Sequence, residues 1–203
     1  SSTWDLTAAG FTANQISFVD FESADSGAAG TLNGTEGSES FEITGNQSVL
    51  VNGTNFTKVT TVDAKDNLAK TDVDSISGSS TWDLTAAGFT ANQISFTGIE
   101  TVNSVVGGTL NGTALADQFT LGSDNQVKVQ SNTITFNNIA AVTAGEGDDE
   151  IVGAADQSWQ LSGVSKQITA NEITFTAVEE ATNGTVIGTT SADEFTLVGT
   201  KQV

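Results

Sequence analysis

The stretch SSTWDLTAAGFTANQISF occupies residues 1–18 and recurs without a single change at residues 79–96. A fixed internal period of about 20 to 50 residues is typical of repeat proteins, whose units bury their apolar faces against one another. Both copies end in a phenylalanine, and related text surrounds three more, so five copies of one pattern indicate a tandem array. The anchor phenylalanines are Phe18, Phe56, Phe96, Phe136 and Phe175, at steps of 38, 40, 40 and 39 residues.

The copies alternate between two types. The odd copies open with a W-x-L segment, at Trp4, Trp82 and Trp159, whereas the even copies open with VLV at 49–51 or VKV at 127–129. A row of exposed tryptophans could bind sugars. We instead interpret the three tryptophans as core residues, because W-x-L takes the strand position that V-x-V fills in alternate copies.

A second landmark indicates a larger unit made of two related halves. The text GTLNGT begins at residues 30 and 108 and returns, weakened, as GTVIGT at residue 184. We therefore predict repeat units at 1–78, 79–155 and 156–203, the last of them incomplete. Because the repeated text is cut at both ends, we expect the chain to be a segment of a longer array.

The amino-acid composition excludes some classes of binding partner. The 203 residues carry a net charge of −19, with 25 acidic residues against six lysines and no arginine, histidine, cysteine, proline, methionine or tyrosine. So acidic a chain lacks the cations with which proteins bind nucleic acids and anionic membrane surfaces. No apolar run approaches the roughly 20 residues of a membrane span. We therefore expect no nucleic acid partner and no membrane span in this segment.

Period-2 alternation predicts short β-strands along the chain. QISF, TITF and EITF alternate apolar with polar residues and are rich in Ile, Phe and Thr, as half-buried strands are. Glycine and asparagine between them tolerate the positive φ of tight turns. Residues 7–14 could instead form a helical turn, but Gly10 and the β-branched neighbours disfavour a helix.

Many short strands at this period predict an all-β fold, a parallel β-solenoid of β-helix or β-roll type. Half-units of about 39 residues would stack in repeats of about 78. The alternative is a string of small β-sandwich modules, one for each repeat. In the solenoid, apolar ladders would run along one core and would combine the anchor phenylalanines with Ile16, Ile94, Ile134 and Ile173.

One stretch resembles the nonapeptide repeat of RTX proteins, G-G-x-G-x-D-x-U-x, whose turns bind calcium and whose large apolar residue enters the core. Residues 144–153 read AGEGDDEIVG and match the pattern at Gly145, Gly147, Asp149 and Ile151. The first glycine of the pattern is replaced by alanine.

Two further segments look like degenerate forms of that repeat, GTALADQFTL and GTTSADEFTL. In each, an aspartate, Asp117 or Asp193, precedes a phenylalanine by two residues. Together the three segments resemble RTX-like repeat regions of giant bacterial extracellular adhesins and surface-layer proteins. The resemblance implies a location outside the cell, at its surface.

The resemblance also implies calcium as a cofactor. Calcium takes six to eight oxygen ligands, more than one turn supplies, so Asp72 or Asp74 in the preceding pair of halves would have to help if the turns stack. The alternative is that these acids only keep the surface hydrated. The candidate metal residues are Gly145, Gly147, Asp148 and Asp149.

Three glutamates, Glu22, Glu100 and Glu179, each lie four residues after an anchor phenylalanine. At about 4.8 Å per coil, stacked half-units would separate them by roughly 10 Å or more. That distance is too long for two carboxylates to share a proton. We therefore predict an outward-facing polar row here.

The sequence predicts no enzyme and no catalytic or cofactor-binding residue beyond the metal candidates, because it lacks the His, Cys and Arg of most catalytic sites. We expect a structural repeat segment of a bacterial adhesin stalk or cell-surface filament, which gives length and stiffness. Its partners would be neighbouring copies of itself or adjoining repeats. The alternative is a calcium-dependent binding module that recognises a surface glycan or a surface layer.

Overall fold

The computed structural model describes residues 2–65, 73–129 and 133–190, and the statements below concern these residues. They form twenty-one β-strands and no helix, which confirms the predicted all-β class. Accordingly, this part of the chain offers no helix with which to cross a bilayer. The strands are β1 (Thr3–Thr7), β2 (Gly10–Ala13), β3 (Ile16–Phe18), β4 (Ser23–Asn33), β5 (Ser40–Gly45), β6 (Ser48–Val51), β7 (Thr54–Asp63), β8 (Ser75–Ser77), β9 (Thr81–Thr85), β10 (Gly88–Ala91), β11 (Ile94–Thr97), β12 (Thr101–Asn111), β13 (Gln118–Leu121), β14 (Val127–Val129), β15 (Ile134–Thr143), β16 (Glu150–Val152), β17 (Ser158–Leu161), β18 (Gln167–Ala170), β19 (Ile173–Thr176), β20 (Glu180–Thr182) and β21 (Thr185–Ile187).

Every half-unit contains an antiparallel meander of three strands. The five meanders in the described residues are M1 (β1, β2, β3), M2 (β5, β6, start of β7), M3 (β9, β10, β11), M4 (β13, β14, start of β15) and M5 (β17, β18, β19). In M1, the turn into the third strand has positive φ at both of its residues, Asn14 (50°) and Gln15 (64°). Such two-residue turns match the twist of antiparallel strands. Residues 7–14 thus belong to a hairpin, not to a helical turn.

Each meander is followed by a connection that contributes two strand segments, which we call its first and second segments. In the first and third connections, both segments belong to one long strand, β4 or β12, and the pairing register shifts between them. The segment pairs are 23–25 and 31–33, 61–63 and 75–77, 101–103 and 109–111, 141–143 and 150–152, and 180–182 and 185–187.

The strands form two rows of hydrogen-bonded neighbours, and the long strands β4, β7, β12 and β15 belong to both rows. Row one runs β3, β2, β1, β4, β7, β11, β10, β9, β12, β15, β19, β18, β17, β21. Row two runs β4, β7, β6, β5, β8, β12, β15, β14, β13, β16, β20. Odd meanders lie in row one and even meanders in row two.

Parallel pairing follows one rule. Each ladder contains four parallel strands in a fixed order. The first two are the opening strand of a meander and the second segment of the connection that follows this meander. The last two are the first segment of the next connection and the third strand of the meander two half-units later, as in β1, residues 31–33, residues 61–63 and β11. Strands from successive half-units therefore pair directly, which confirms the predicted β-solenoid of stacked coils and excludes self-contained sandwich modules. The complete ladders are 3–5, 31–33, 61–63 and 95–97; 40–42, 75–77, 101–103 and 135–137; and 81–83, 109–111, 141–143 and 174–176.

A single hydrophobic core runs through the stacked coils, as predicted. The middle residue of each ladder strand packs into it, because alternate side chains of a strand point to opposite faces. The order along each ladder is aromatic, aliphatic, aliphatic, aromatic. The three ladders contribute Trp4, Leu32, Val62 and Phe96; Phe41, Ile76, Val102 and Phe136; and Trp82, Leu110, Val142 and Phe175.

Three details of the predicted core were wrong. Ile16, which was predicted to join the core, is 59% exposed, because β3 pairs with β2 alone among the described strands. The anchor phenylalanines do not stack on one another: Phe96 lies opposite Val62, and Phe136 lies opposite Val102, because odd and even anchors belong to different rows. The W-x-L segment does not take the position of V-x-V. It is the first strand of its meander and corresponds to Phe41 and Ile43, whereas V-x-V is the middle strand. The tryptophans are nevertheless core residues, as interpreted, with Trp82 and Trp159 fully buried and Trp4 partly buried.

Replacement of one ladder aromatic tests the shared core. Phe136→Ala should lower the free energy of unfolding by about 3 to 5 kcal/mol, through lost transfer energy and the cavity left behind. Because each coil depends on its neighbours, the loss should appear in the transition of the whole chain. Denaturant unfolding followed by tryptophan fluorescence measures both effects, since Trp82 and Trp159 lie in different coils. Leu115→Ala, at an exposed site, is the control and should leave stability unchanged. A Phe136→Ala protein that unfolds in two separate steps would contradict the continuous core.

Candidate functional site

Three acidic residues stack at one end of a ladder in row two. Asp117, Asp149 and Glu179 each directly precede a strand, and these strands, β13, β16 and β20, are parallel neighbours. Since neighbouring strands lie about 4.8 Å apart, the three residues follow one another at that spacing. We call them the second acidic row.

Hydrogen bonds tie this row to the backbone. The backbone N–H of Asp117 donates to Asp149 Oδ1 at 2.7 Å, and the N–H of Asp149 donates to Glu179 Oε2 at 3.0 Å. Asp117 in turn accepts the N–H of Thr113 at 2.6 Å on its Oδ2. Each carboxylate therefore satisfies a backbone donor at a bend, where the regular ladder does not supply an acceptor.

The same arrangement occurs one repeat earlier, in the first acidic row, Glu39, Asp74 and Glu100. The N–H of Glu39 donates to Asp74 Oδ1 at 2.6 Å, and the N–H of Asp74 donates to Glu100 Oε2 at 2.7 Å. The backbone N–H of Thr35 donates to Glu39 Oε2 at 3.1 Å, as the N–H of Thr113 donates to Asp117 Oδ2. Glu22 and Glu179 are exposed and Glu100 is partly exposed, in agreement with the predicted outward-facing polar row, and the carboxylates of Glu100 and Glu179 in addition accept backbone N–H groups of the neighbouring coil.

The glycine-rich turn of the RTX-like stretch packs closely on the coil before it. Gly145 and Gly147 have φ values of 112° and 123°, which favour glycine. A Cβ on Gly145 would lie 2.0 Å from the carbonyl oxygen of Thr113, so the backbones approach too closely for any side chain. Ile151 is fully buried, as the resemblance implies.

The candidate metal residues are only partly brought together. Asp148 is exposed, whereas Asp149 is fully buried, because consecutive residues point to opposite sides. The carboxylates next to Asp149 are those of Asp117 and Glu179; Asp74 belongs to the first acidic row, and Asp72 and Asp193 lie outside the described residues. In residues 2–65, 73–129 and 133–190, no three acidic side chains form a group that could hold a metal ion.

The buried carboxylate of Asp149 is electrostatically strained. Its Oδ2 atom is buried and has no hydrogen-bond partner. Burial raises the pKa of Asp149, and the charges of Asp117, Glu179 and Asp148 raise it further, against the lowering effect of the Asp117 N–H. At the surface end of the row, the Lys166 ammonium bonds Glu179, which lowers the Glu179 pKa and raises the Lys166 pKa.

The sequence pointed to Asp117 and Asp149 through the RTX-like pattern, but not to the row they form with Glu179. The signal was present in the repeat spacing: Glu39 and Asp117 are 78 residues apart, Asp74 and Asp149 are 75 apart, and Glu100 and Glu179 are 79 apart. Comparisons of the chain with protein-family models, with curated proteins and with solved structures produced no match.

The raised pKa of Asp149 predicts a specific pH dependence. A carboxyl whose pKa is higher in the folded state than in the unfolded state binds more protons when folded, so its contribution to stability falls as pH rises through that interval. Asp149→Asn removes this titration and keeps an acceptor for the Asp117 N–H. We expect the variant to gain melting temperature relative to the parent as pH rises from 3.8 through the raised pKa, and to stay more stable at pH 7.

Thermal unfolding of parent and variant across this pH range measures the difference. Asp148→Asn, at an exposed neighbouring position, is the matched control and should show no such change. An Asp149→Asn protein that is less stable than the parent by the same amount at every pH would show that the carboxylate charge is not a cost.

Proposed function

We propose that this chain is a structural repeat segment of an extracellular bacterial adhesin stalk or cell-surface filament, whose role is to provide length and stiffness. The pairing rule of the ladders carries the proposal. Each complete ladder contains strands of three successive half-units, so the described parts of successive coils interlock, and within those residues no boundary between coils is crossed by few contacts. A flexible hinge needs such a boundary.

The surface charge is compatible with a long exposed fibre. The net charge of −19 keeps the chain hydrated and makes neighbouring chains repel one another sideways. Adjoining repeats would be its main partners. We propose no catalytic activity, because the chain has no histidine or cysteine and both acidic rows use their carboxylates to bind backbone N–H groups.

Insertion of one repeat tests the spacer role. A second copy of residues 1–78 placed between Gly78 and Ser79 reproduces a native junction, because Ser1 and Ser79 begin the same text. From β1 to β9, row one advances by five strand positions. At about 4.8 Å for each position, the insertion should lengthen the particle by about 24 Å.

Small-angle X-ray scattering measures this change. The maximum dimension should grow by the same amount with each further insertion, while the radius of gyration of the cross-section stays constant. A wider cross-section, or a gain in length that shrinks with each insertion, would argue against a stiff spacer.

A second candidate function is a calcium-dependent binding module that recognises a surface glycan or a surface layer. The Asp149 Oδ2 atom favours it, since this buried oxygen has no hydrogen-bond partner and Asp149 lies between Asp117 and Glu179 in the second acidic row. A divalent cation would offset the repulsion in the second acidic row. Asp149 would then bind the cation. The close packing of Gly145 and Gly147 on the preceding coil would hold the Asp149 coil in position.

Calcium addition tests this candidate. A ligand that binds only the folded state stabilises it by mass action, so millimolar calcium should raise the melting temperature of chelated protein. Asp149→Asn should abolish the rise, whereas Asp20→Asn, at an exposed acid elsewhere, should retain it. Sodium chloride at equal ionic strength separates specific binding from screening. Equal shifts with both salts would leave the acidic rows as structural elements alone.

A further inference from the structure

The tripeptide Asn-Gly-Thr occurs four times in the chain, at residues 33–35, 52–54, 111–113 and 183–185. An asparagine followed by glycine can lose ammonia without an enzyme, because glycine has no Cβ to keep its nitrogen away from the side-chain carbonyl carbon of the asparagine. The local sequence makes the four sites equally reactive. The structure places them in different surroundings, and these surroundings decide which site can react.

The site at residues 33–35 is held closed by hydrogen bonds. The Asn33 Nδ2 atom donates to Asp5 Oδ1 at 2.7 Å. The Gly34 N–H donates to the carbonyl oxygen of Asp63 at 2.7 Å. A Cβ on Gly34 would lie 2.4 Å from the carbonyl oxygen of Ala64, so the backbone packs directly on a neighbouring strand. The leaving amide and the attacking nitrogen are therefore both engaged.

The equivalent site one repeat later, at residues 111–113, is held in the same way. The Asn111 Nδ2 atom donates to Asp83 Oδ1 at 2.6 Å. The Gly112 N–H donates to the carbonyl oxygen of Thr143 at 2.8 Å. A Cβ on Gly112 would lie 1.8 Å from the carbonyl oxygen of Ala144. Protection of this asparagine is thus a regular feature of the repeat.

The site at residues 183–185 is fixed by other contacts. The Asn183 Nδ2 atom donates to the carbonyl oxygen of Gly153 at 3.2 Å, and the Asn183 carbonyl oxygen accepts the indole N–H of Trp159. A Cβ on Gly184 would lie 2.1 Å from the carbonyl oxygen of Gln157. Although the Asn183 side chain is exposed, the backbone on both sides of the reacting bond is anchored to the neighbouring coil.

The site at residues 52–54 differs from the other three. Asn52 and Gly53 form the exposed two-residue turn between β6 and β7, with φ values of 48° and 79°. Within the described part of the chain, neither the Asn52 side-chain amide nor the Gly53 N–H makes a hydrogen bond. A Cβ on Gly53 would meet no described atom within 4 Å apart from its chain neighbours. Reaction here needs only the hairpin tip to rearrange, whereas the other sites require a coil to open.

We propose that Asn52 is a site of spontaneous deamidation in the folded protein. The Gly53 nitrogen attacks Asn52 Cγ, the Cγ–Nδ2 bond breaks, and ammonia leaves with the proton that the Gly53 nitrogen carried. Water then opens the resulting succinimide ring at one of its two carbonyl carbons and gives aspartate or isoaspartate. The reaction exchanges ammonia for water, so it needs no oxidant and no enzyme. This modification goes beyond the spacer role and does not depend on it.

The product places a new carboxylate in an acidic neighbourhood. Asn52 lines a surface depression together with Asp20 and Glu22. The next strand is tied to the same connection, because the Thr54 hydroxyl donates to the carbonyl oxygen of Phe21 at 2.7 Å. A negative charge at position 52 adds like-charge repulsion there, and isoaspartate inserts a methylene group into the backbone of the turn. Deamidation should therefore loosen the contact between this hairpin and the connection before it.

Peptide mapping by mass spectrometry tests the proposal, after incubation of the full chain at mildly alkaline pH, which favours loss of the glycine N–H proton. We expect deamidation at Asn52 to be faster than at Asn33 and Asn111 by about tenfold or more, since a coil must open before those two can react. The matched control is Gly53→Gln, because Asn-Gln forms the same turn at residues 92–93, with φ values of 50° and 65°. This variant should fold, as circular dichroism can verify, and should lose nearly all reaction at Asn52.

Incubation in denaturant separates the effect of structure from that of sequence. In the unfolded chain, all four Asn-Gly-Thr sites should deamidate at similar rates, because their local sequence is the same. Similar rates at Asn33 and Asn52 in the folded chain would overturn the proposal, and so would a folded chain that leaves Asn52 unchanged while the unfolded chain reacts. Neither result would touch the spacer role, which is judged by the length gained on repeat insertion.

Discussion

The structure depends on the fact that a three-residue strand segment cannot satisfy itself. The backbone N–H and C=O groups of a first segment pair with strands of two other half-units, and those of a second segment pair with its own meander on one side and with the next half-unit on the other. A half-unit taken alone would expose a meander and two connection segments with little apolar cover. Stability is therefore a property of neighbouring coils, as in other solenoids. The interlocking of successive half-units along the described residues follows from this dependence.

The order aromatic, aliphatic, aliphatic, aromatic along each ladder shows how strands from different half-units fill the shared core. Meander strands carry Trp or Phe at the middle position, and connection segments carry Leu, Ile, Val or Ala. A large ring at each end of a ladder meets a smaller side chain beside it, so the core fills without two rings competing for one space. Aromatic pairs occur within one meander, such as Phe89 with Phe96 at 5.4 Å, and between neighbouring meanders, such as Phe89 with Phe136 at 5.5 Å.

The two acidic rows show that the stacking of coils also has an electrostatic cost. Where the chain bends into a ladder, the N–H groups of Asp117 and Asp149 meet carboxylates of the next coil. Burial raises the pKa of Asp149, and the like charges of Asp117 and Glu179 raise it further, so the charged form of this carboxyl is unfavourable in the folded state. The first acidic row repeats the arrangement, so it is a regular element of the coil. A buried backbone N–H group without an acceptor at the bend would also be costly. The carboxylates therefore have a structural role as acceptors for these N–H groups.

The array, its period, the β-strands and several core residues, such as Trp82 and Phe136, could be predicted from the sequence, because period-2 alternation and repeat spacing are local patterns. The pairing of the strands could not be predicted, because it depends on contacts between residues that are far apart in the sequence. The tertiary structure moved W-x-L to the first strand of the meander, placed odd and even anchors in different rows and turned Glu100 and Glu179 into backbone acceptors. The strongest case is Ile16 and Ile94, which share the same neighbours in sequence but are exposed and buried, respectively. Their difference lies in residues 61–63, which pair beside one copy and not the other, and contact with a distant strand cannot be read from local text.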